Sequence, residues 1–256
     1  MILSDTKSDM PPITVQSLDK YKNTEVQASF TVMDVLDVNE QESMFDIYFM
    51  LELSWIDHNV NYAFLKKDTS HNFFEGNVTW VPKIQFYLIR SQHHFDFGTK
   101  YFVKRNESSK PILSGVREDL NRREIYLGRD HTLKMVMKMR SQFICSFDKI
   151  ANYPFGEQEC YMGFYIEGHS NQMTDLLPSN FSGSKGIFSG EYFIKDWKFN
   201  RKYETESGEW NLRVTMVLSR QFFGIFMVTF FPTILMNIIN QASTFITGDS
   251  RYTINS

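Results

Sequence analysis

The sequence predicts a mainly β protein: an immunoglobulin-like antiparallel β-sandwich followed by a single membrane helix. Three observations predict it. Short runs of alternating apolar and polar residues recur along the first four-fifths of the chain, bounded by turn residues. The only two cysteines, Cys145 and Cys160, lie close together. No charged residue occurs from Gln221 to Gly248.

The strand pattern is clearest in five segments. Val26–Val38 is rich in β-branched residues, and Phe45–Trp55 alternates loosely. Thr132–Arg140, Tyr192–Phe199 and Leu212–Leu218 space their apolar residues by two. Pro178–Gly190, rich in Gly and Ser, reads as a long exposed loop. Pro11-Pro12 reads as the end of a leader. The expected organisation is a leader over 1–24, a β-sandwich over 25–220, a membrane helix over 221–247 and the start of a linker over 248–256. No periodic helix of real length is expected before the span.

Cys145 and Cys160 read as one disulfide, expected to join the ends of adjacent strands. A zinc site would need further Cys or His ligands at short spacing, and none flank the pair. Closing a loop of this size contributes roughly 3 kcal/mol in the chain-entropy model.

Residues 222–239 are mostly large and apolar on all faces, with Phe222, Phe223, Phe226, Phe230 and Phe231 and no polar stripe. Pro232 in the middle would cost a soluble helix about 3 kcal/mol, whereas membrane helices tolerate it. An extracellular position for residues 1–220 is expected from the cysteine pair and from three glycosylation sequons, at Asn77, Asn106 and Asn180. The short polar tail with Arg251 suits the inner side. Met1–Asp5 has neither a basic n-region nor an apolar h-region, so a secreted form would have lost its signal peptide already.

Net charge is −3, which gives no reason to expect nucleic-acid binding. Aromatics make up 16% of the chain, with 24 Phe, more than the hydrophobic span absorbs, so a large aromatic core or interface is expected. Six histidines raise the possibility of an enzyme, yet no Ser-His-Asp, HExxH or phosphate-loop pattern occurs. His93 and His94 are adjacent, point to opposite faces of a strand and are poor co-ligands, although with Asp96 they are the one candidate for a surface zinc or proton site. No cofactor or metal is expected.

Several motifs together resemble the extracellular domain and first membrane helix of a Cys-loop pentameric ligand-gated ion channel, over about residues 25–250. Trp55-Ile56-Asp57 is similar to the family's Trp-x-Asp, and Val38-Asn39-Glu40 to its Val-Asp-Glu. Trp80-Val81-Pro82-Lys83 resembles Trp-x-Pro-Asp with Lys for the acid. Tyr153-Pro154-Phe155-Gly156-Glu157-Gln158-Glu159-Cys160 resembles the second half of the signature loop, with Gly156 for the usual Asp and one residue more between the cysteines. Leu218-Ser219-Arg220 resembles the Leu-x-Arg before the membrane, and Pro232-x-x-Leu235-Met236 the core of the first span.

The resemblance implies a homopentamer or heteropentamer in the plasma membrane, in contact with lipid, that binds a small-molecule agonist between neighbouring domains. It implies an invertebrate-like subunit, and not a nicotinic α-type one, since no vicinal cysteine pair stands at the third loop. By motif spacing, Tyr87, Glu167, Tyr203 and Trp210 form the principal side of the site, with Ser207-Gly208 at the tip of the third loop. Tyr48, Met50, Lys134 and Val136 form the complementary side. Glu167 is expected to face a cationic ligand or Lys134. Glu40, Pro154, Phe155 and Arg220 are implied to couple binding to the membrane, with the loop tip at Phe155 pointing to the membrane end and Glu40 paired with Arg220. The pore-lining second helix is expected after Ser256. The competing reading is a single-span adhesion receptor, which needs neither Pro232 nor Arg220.

Overall fold

The computed structural model describes residues 11–12, 14–17, 20–66, 72–76, 79–94, 98–114, 123–147, 156–167, 173–186, 188–189, 192–204, 209–221, 224 and 226–249. In chain order the strands are β1 (Thr14–Ser17), β2 (Lys20–Lys22), β3 (Thr24–Asn39), β4 (Met44–Trp55), β5 (Tyr62–Ala63), β6 (Ile84–Tyr87), β7 (Ile89–His94), β8 (Lys100–Arg105), β9 (Ile112–Ser114) and β10 (Arg123–Tyr126). They continue as β11 (His131–Ile144), β12 (Glu157–Ile166), β13 (Thr174–Ser182), β14 (Phe188–Ser189), β15 (Tyr192–Glu204) and β16 (Glu209–Arg220). A π-helical turn (Phe226–Phe230) leads into helix α1 (Phe231–Asp249).

Two sheets carry the fold. One orders its strands β13-β3-β4-β11-β7, with β8 also on β11, and the other β14-β15-β16-β12-β6. Alternation decides which face of each strand turns inward. On β4, Phe45, Ile47, Phe49, Leu51, Leu53 and Trp55 are buried, while Tyr48, Met50, Glu52 and Ser54 are half-buried on the opposite face. On β12, Cys160, Met162, Phe164 and Ile166 are buried, with Tyr161 and Tyr165 outward. On β15 a bulge between Ile194 and Asp196 reverses the parity, so that Ile194 and Trp197 both reach the interior.

The sheets meet through phenylalanines. Phe30 of β3 stacks on Phe49 of β4 at 4.8 Å and reaches across to Phe164 of β12 at 6.1 Å. Phe49 meets Phe86 of β6 edge-on at 5.6 Å. Trp55 and Trp80 cross almost perpendicularly at 6.0 Å. Each such pair adds about 0.5–1.5 kcal/mol beyond its buried area. The core thus absorbs many of the aromatics that composition left open.

Three expectations change. Cys145 and Cys160 are bonded, with Cα atoms 5.1 Å apart, but they tie the end of β11 to β12 in the other sheet instead of joining neighbouring strands. Within the presumed loop 178–190, β13 runs to Ser182 and pairs parallel with β3. Phe181 drives this by packing on Phe30, Trp197 and Phe199, and Pro178 is tolerated beside a bulge on an edge strand. Residues 14–17 and 20–22, read as leader, pair antiparallel as β1 and β2.

The hydrophobic segment has its own irregularity. Among the described residues no helix is long and apolar enough to cross a membrane. Helix α1 has 19 residues, and Thr233, Asn237, Asn240, Gln241, Ser243 and Thr244 lower its hydropathy. Pro232 lacks the N–H that a regular turn requires, and the chain widens into the π turn just before it. That takes Phe226–Phe230 out of the regular helix. Thr233 Oγ1 donates back to the Thr229 carbonyl at 2.8 Å across this irregularity.

Candidate functional site

The end of the sandwich from which the helix leaves gathers four segments. Glu40 opens the turn after β3, which Ser43 N–H closes on the Glu40 carbonyl at 3.1 Å with Ser43 at φ 52°. Cys145 N–H donates to the Ser43 carbonyl at 2.9 Å, fixing the disulfide against that turn. Arg220, the last residue of β16, is ion-paired through its guanidinium with the Glu40 carboxylate. The Arg220 side chain is 13% exposed and that of Glu40 31%. Arg220 also lies 5.3 Å over the ring of Tyr192, its cross-strand partner at the start of β15. Tyr192 in turn packs on Phe147, two residues after Cys145, at 6.1 Å. One guanidinium therefore links the β3–β4 turn to both strands at the helix exit, and through Tyr192 to the root of the cysteine loop. Tyr153, Pro154 and Phe155 lie outside the described residues, and so does the expected direction of the loop tip.

Tyr192 was missed from sequence. Its signal is positional: the first residue of one strand of a hairpin faces the last residue of the other.

The expected complementary residues come together. Tyr48 and Met50 on β4 and Lys134 and Val136 on β11 share one outward sheet face, in a register that pairs Met50 with Lys138 and Lys134 with Ser54. Lys134 is ion-paired with Glu52 of the same face, so its charge is met within its own chain. Arg140 forks onto Asp46, donating from Nε at 2.9 and 3.1 Å, and this carboxylate raises the pKa of the guanidinium above its ordinary value.

The expected principal residues divide. Tyr87, Gly163 and Arg213 stand side by side in register on β6, β12 and β16. Trp210 and Tyr203 pair at the far end of the β15–β16 hairpin, three residues beyond Arg213, and their side chains and Ser207-Gly208 lie outside the described residues. Strand geometry puts the Tyr87 and Trp210 backbones roughly 10 Å apart across the sheet and a similar distance along it. Glu167 is exposed near the hairpin end, with its N–H donating to the Lys83 carbonyl at 2.8 Å.

The Tyr87 ring lies over β12. A Cβ on Gly163 would sit 1.7 Å from Tyr87 Cζ and 1.9 Å from its hydroxyl. The missing side chain at 163 is thus the slot that receives the phenol. Tyr165 lies 6.4 Å away on one side, with its hydroxyl donating to Gln85 Oε1 at 2.9 Å. Two residues back along β12, the Arg213 guanidinium covers Tyr161 at 4.0 Å, and Arg213 is the residue that faces Gly163 across the strands. We expect Gly163→Ala to expel Tyr87 from the slot at a cost of about 1–3 kcal/mol. Nitration of Tyr87, followed by peptide mass spectrometry, should become faster in the variant; unchanged protection would show that the ring does not depend on the slot.

Among the described residues no group of three or more His, Cys, Asp or Glu is placed to hold a metal. The side chains of His93 and His94, and Asp96, lie outside the described residues.

The family model for the neurotransmitter-gated ion-channel ligand binding domain matches residues 7–239. No curated protein matches the chain.

Proposed function

Because this chain belongs to the neurotransmitter-gated ion-channel ligand-binding domain family, a pentameric and non-enzymatic family of the plasma membrane, we propose that it is the agonist-binding part of one channel subunit. The family implies an extracellular ligand-binding domain. In our reading residues 25–220 form that domain and 221–247 the first membrane span, in contact with lipid, with a pore-lining helix following. Five copies, or copies mixed with related subunits, surround the pore. The subunit is of an invertebrate-like, non-nicotinic-α type, in keeping with the lack of a second cysteine pair.

The observation that carries the proposal is the Arg220 junction. It ties the strand that enters the helix to the β3–β4 turn and, through Tyr192 and Phe147, to the cysteine loop. A rigid-body change between the sheets therefore has a direct mechanical path to the helix. Agonist shifts the channel toward opening only by binding the open-like arrangement more tightly than the resting one. Tyr87, Glu167, Tyr203 and Trp210 would present the principal side to Tyr48, Met50, Lys134 and Val136 of the next subunit. Exposed Glu167 and the rings of the assigned Tyr87, Tyr203 and Trp210 would suit an amine or other cation, at about 0.5–2 kcal/mol per ring. With Lys134 already paired to Glu52, the complementary side offers a compensated ion pair and a Met in place of a free cation.

The test is electrical. The full-length protein, expressed in oocytes, should pass current when exposed in turn to a panel of amines, amino acids, protons and metal ions. At least one amine should open it, and Glu167→Gln should shift that amine's half-maximal concentration upward. A silent protein that reaches the cell surface would count against the channel reading.

A further inference from the structure

The chain changes sheet within one residue at Leu88. Strand β6 ends at Tyr87 on the edge of one sheet, beside β12, and β7 begins at Ile89 on the other, beside β11. Leu88 turns this corner at φ 63°, in the left-handed region where a Cβ crowds the backbone. Glycine is the ordinary residue for such a corner. A bulky side chain stays there only where its surroundings hold it.

Those surroundings lie on both sides of the corner. Before it, the Tyr87 ring lies in the slot over Gly163. After it, Arg90 Nη1 donates to Glu42 Oε2 at 3.1 Å, in the β3–β4 turn, and lies 3.4 Å from Sδ of Met44, which starts β4. At the corner itself, Ile144 N–H donates to the Leu88 carbonyl at 2.7 Å. The next N–H, of Cys145, holds the carbonyl of Ser43, which has φ 52° in the β3–β4 turn. Consecutive amides at the end of β11 thus clasp two left-handed residues. One adjoins the Tyr87 ring, and the other closes the turn that begins at Glu40.

We propose that Leu88 is a positioning residue with two backbone states, which seats the Tyr87 ring and passes its displacement to the β3–β4 turn. The inference rests on the reading of Tyr87 as part of the agonist site. Leucine by itself prefers negative φ. The left-handed state persists because the seated ring, the Ile144 hydrogen bond and the Arg90–Glu42 pair hold it together. Rotation of φ at Leu88 swings β6 against β7, so a ring that leaves its slot by this route pulls on Arg90. An agonist that engages the ring more tightly in one state shifts the corner toward that state. Arg90 and the paired Ile144 and Cys145 amides carry the shift to the turn whose Glu40 holds Arg220.

Leu88→Ala and Leu88→Gly both remove the half-buried side chain, and they differ only in the Cβ that the left-handed region disfavours. In the purified full-length protein, nitration of Tyr87, read by peptide mass spectrometry, should be about tenfold slower in Leu88→Gly than in Leu88→Ala. It should be fastest in Leu88→Val, because a β-branched residue tolerates positive φ least. Equal rates in Leu88→Ala and Leu88→Gly would overturn the positioning role. In oocytes the same two variants should differ by about fivefold or more in half-maximal agonist concentration. Adding Arg90→Gln should shrink that difference to about twofold or less. A difference that survives Arg90→Gln intact would overturn the link to the turn. Nitration needs no current, so a silent protein would contradict the channel reading while the nitration rates still decide the role of Leu88.

Discussion

Arg220→Gln is expected to lower the stability of the domain by roughly 2–3 kcal/mol. The estimate lies between the surface ion pair, worth under about 1 kcal/mol, and the fully buried one, whose breaking costs about 3–5 kcal/mol. The guanidinium is mostly buried and Glu40 is about one-third exposed, so an intermediate value applies. Contact with the Tyr192 ring adds about 0.5–1 kcal/mol, since Gln carries no charge to place over it. For a domain of this size the melting temperature should fall by roughly 4–12 °C. Lys198→Gln breaks an exposed pair with Glu159 and should change it by no more than about 2–4 °C. Combining Glu40→Gln with Arg220→Gln should be non-additive by about 1 kcal/mol or more, because either change alone leaves a half-buried charge unpaired. Additive effects would mean that the two groups act separately. In the intact channel Arg220→Gln should also reduce the maximal current more than the apparent agonist affinity, since the residue sits at the junction and not on the ligand face.

The second large effect is pH-dependent. His131, the first residue of β11, is fully buried, and its Nδ1–H donates to the Leu127 carbonyl at 2.9 Å. Nε2 has no hydrogen-bond partner among the described residues, and the ring meets Tyr62 edge-on at 4.7 Å. Burial pushes the His131 pKa down to about 4 and outweighs the opposing Leu127 hydrogen bond and the Asp130 carboxylate, while His58 pushes in the same direction as burial. The unfolded chain takes up a proton near pH 6.5 and the folded chain only near 4. Between these values the unfolded state holds the extra proton, so stability rises with pH across the window and is lost as pH falls through it. A difference of this size is worth roughly 3 kcal/mol. His131→Phe keeps the ring against Tyr62 and should remove that component from the stability-versus-pH curve measured by denaturant unfolding. It should also cost about 1 kcal/mol at pH 7 from the lost Leu127 hydrogen bond. A slope between pH 4 and 6.5 identical to that of the unsubstituted protein would assign the dependence to other groups. Tyr62 titrates in the opposite range: burial, with Asp57 nearby, raises its phenol pKa.

What could be read from sequence follows from what each residue does alone. The alternation in β4 and β11 and the Trp55, Trp80 and Arg220 motifs are local signals, and the corresponding strands and the Glu40 pair stand where they were expected. The cysteine pair was legible, but which sheets it joins depends on strand order, which no local pattern carries. Strand β13 was hidden because Pro178 and the surrounding Ser residues mimic a loop, and only Phe181 packing on the opposite sheet outweighs them. Tyr192 gains its role from register, and Gly163 from a side chain it lacks, so neither announces itself. The Lys134–Glu52 pair escaped the sequence because the two residues lie 82 positions apart and become neighbours only in the sheet.

The claim that this chain is a subunit of a ring-forming channel is tested most directly by the mass of the full-length protein in detergent. Native mass spectrometry of the purified, deglycosylated protein should give five times the subunit mass, and Arg220→Gln should deplete that species in favour of smaller ones. A monomer or dimer that persists across mild detergents and protein concentrations would contradict the account and favour a single-span surface receptor.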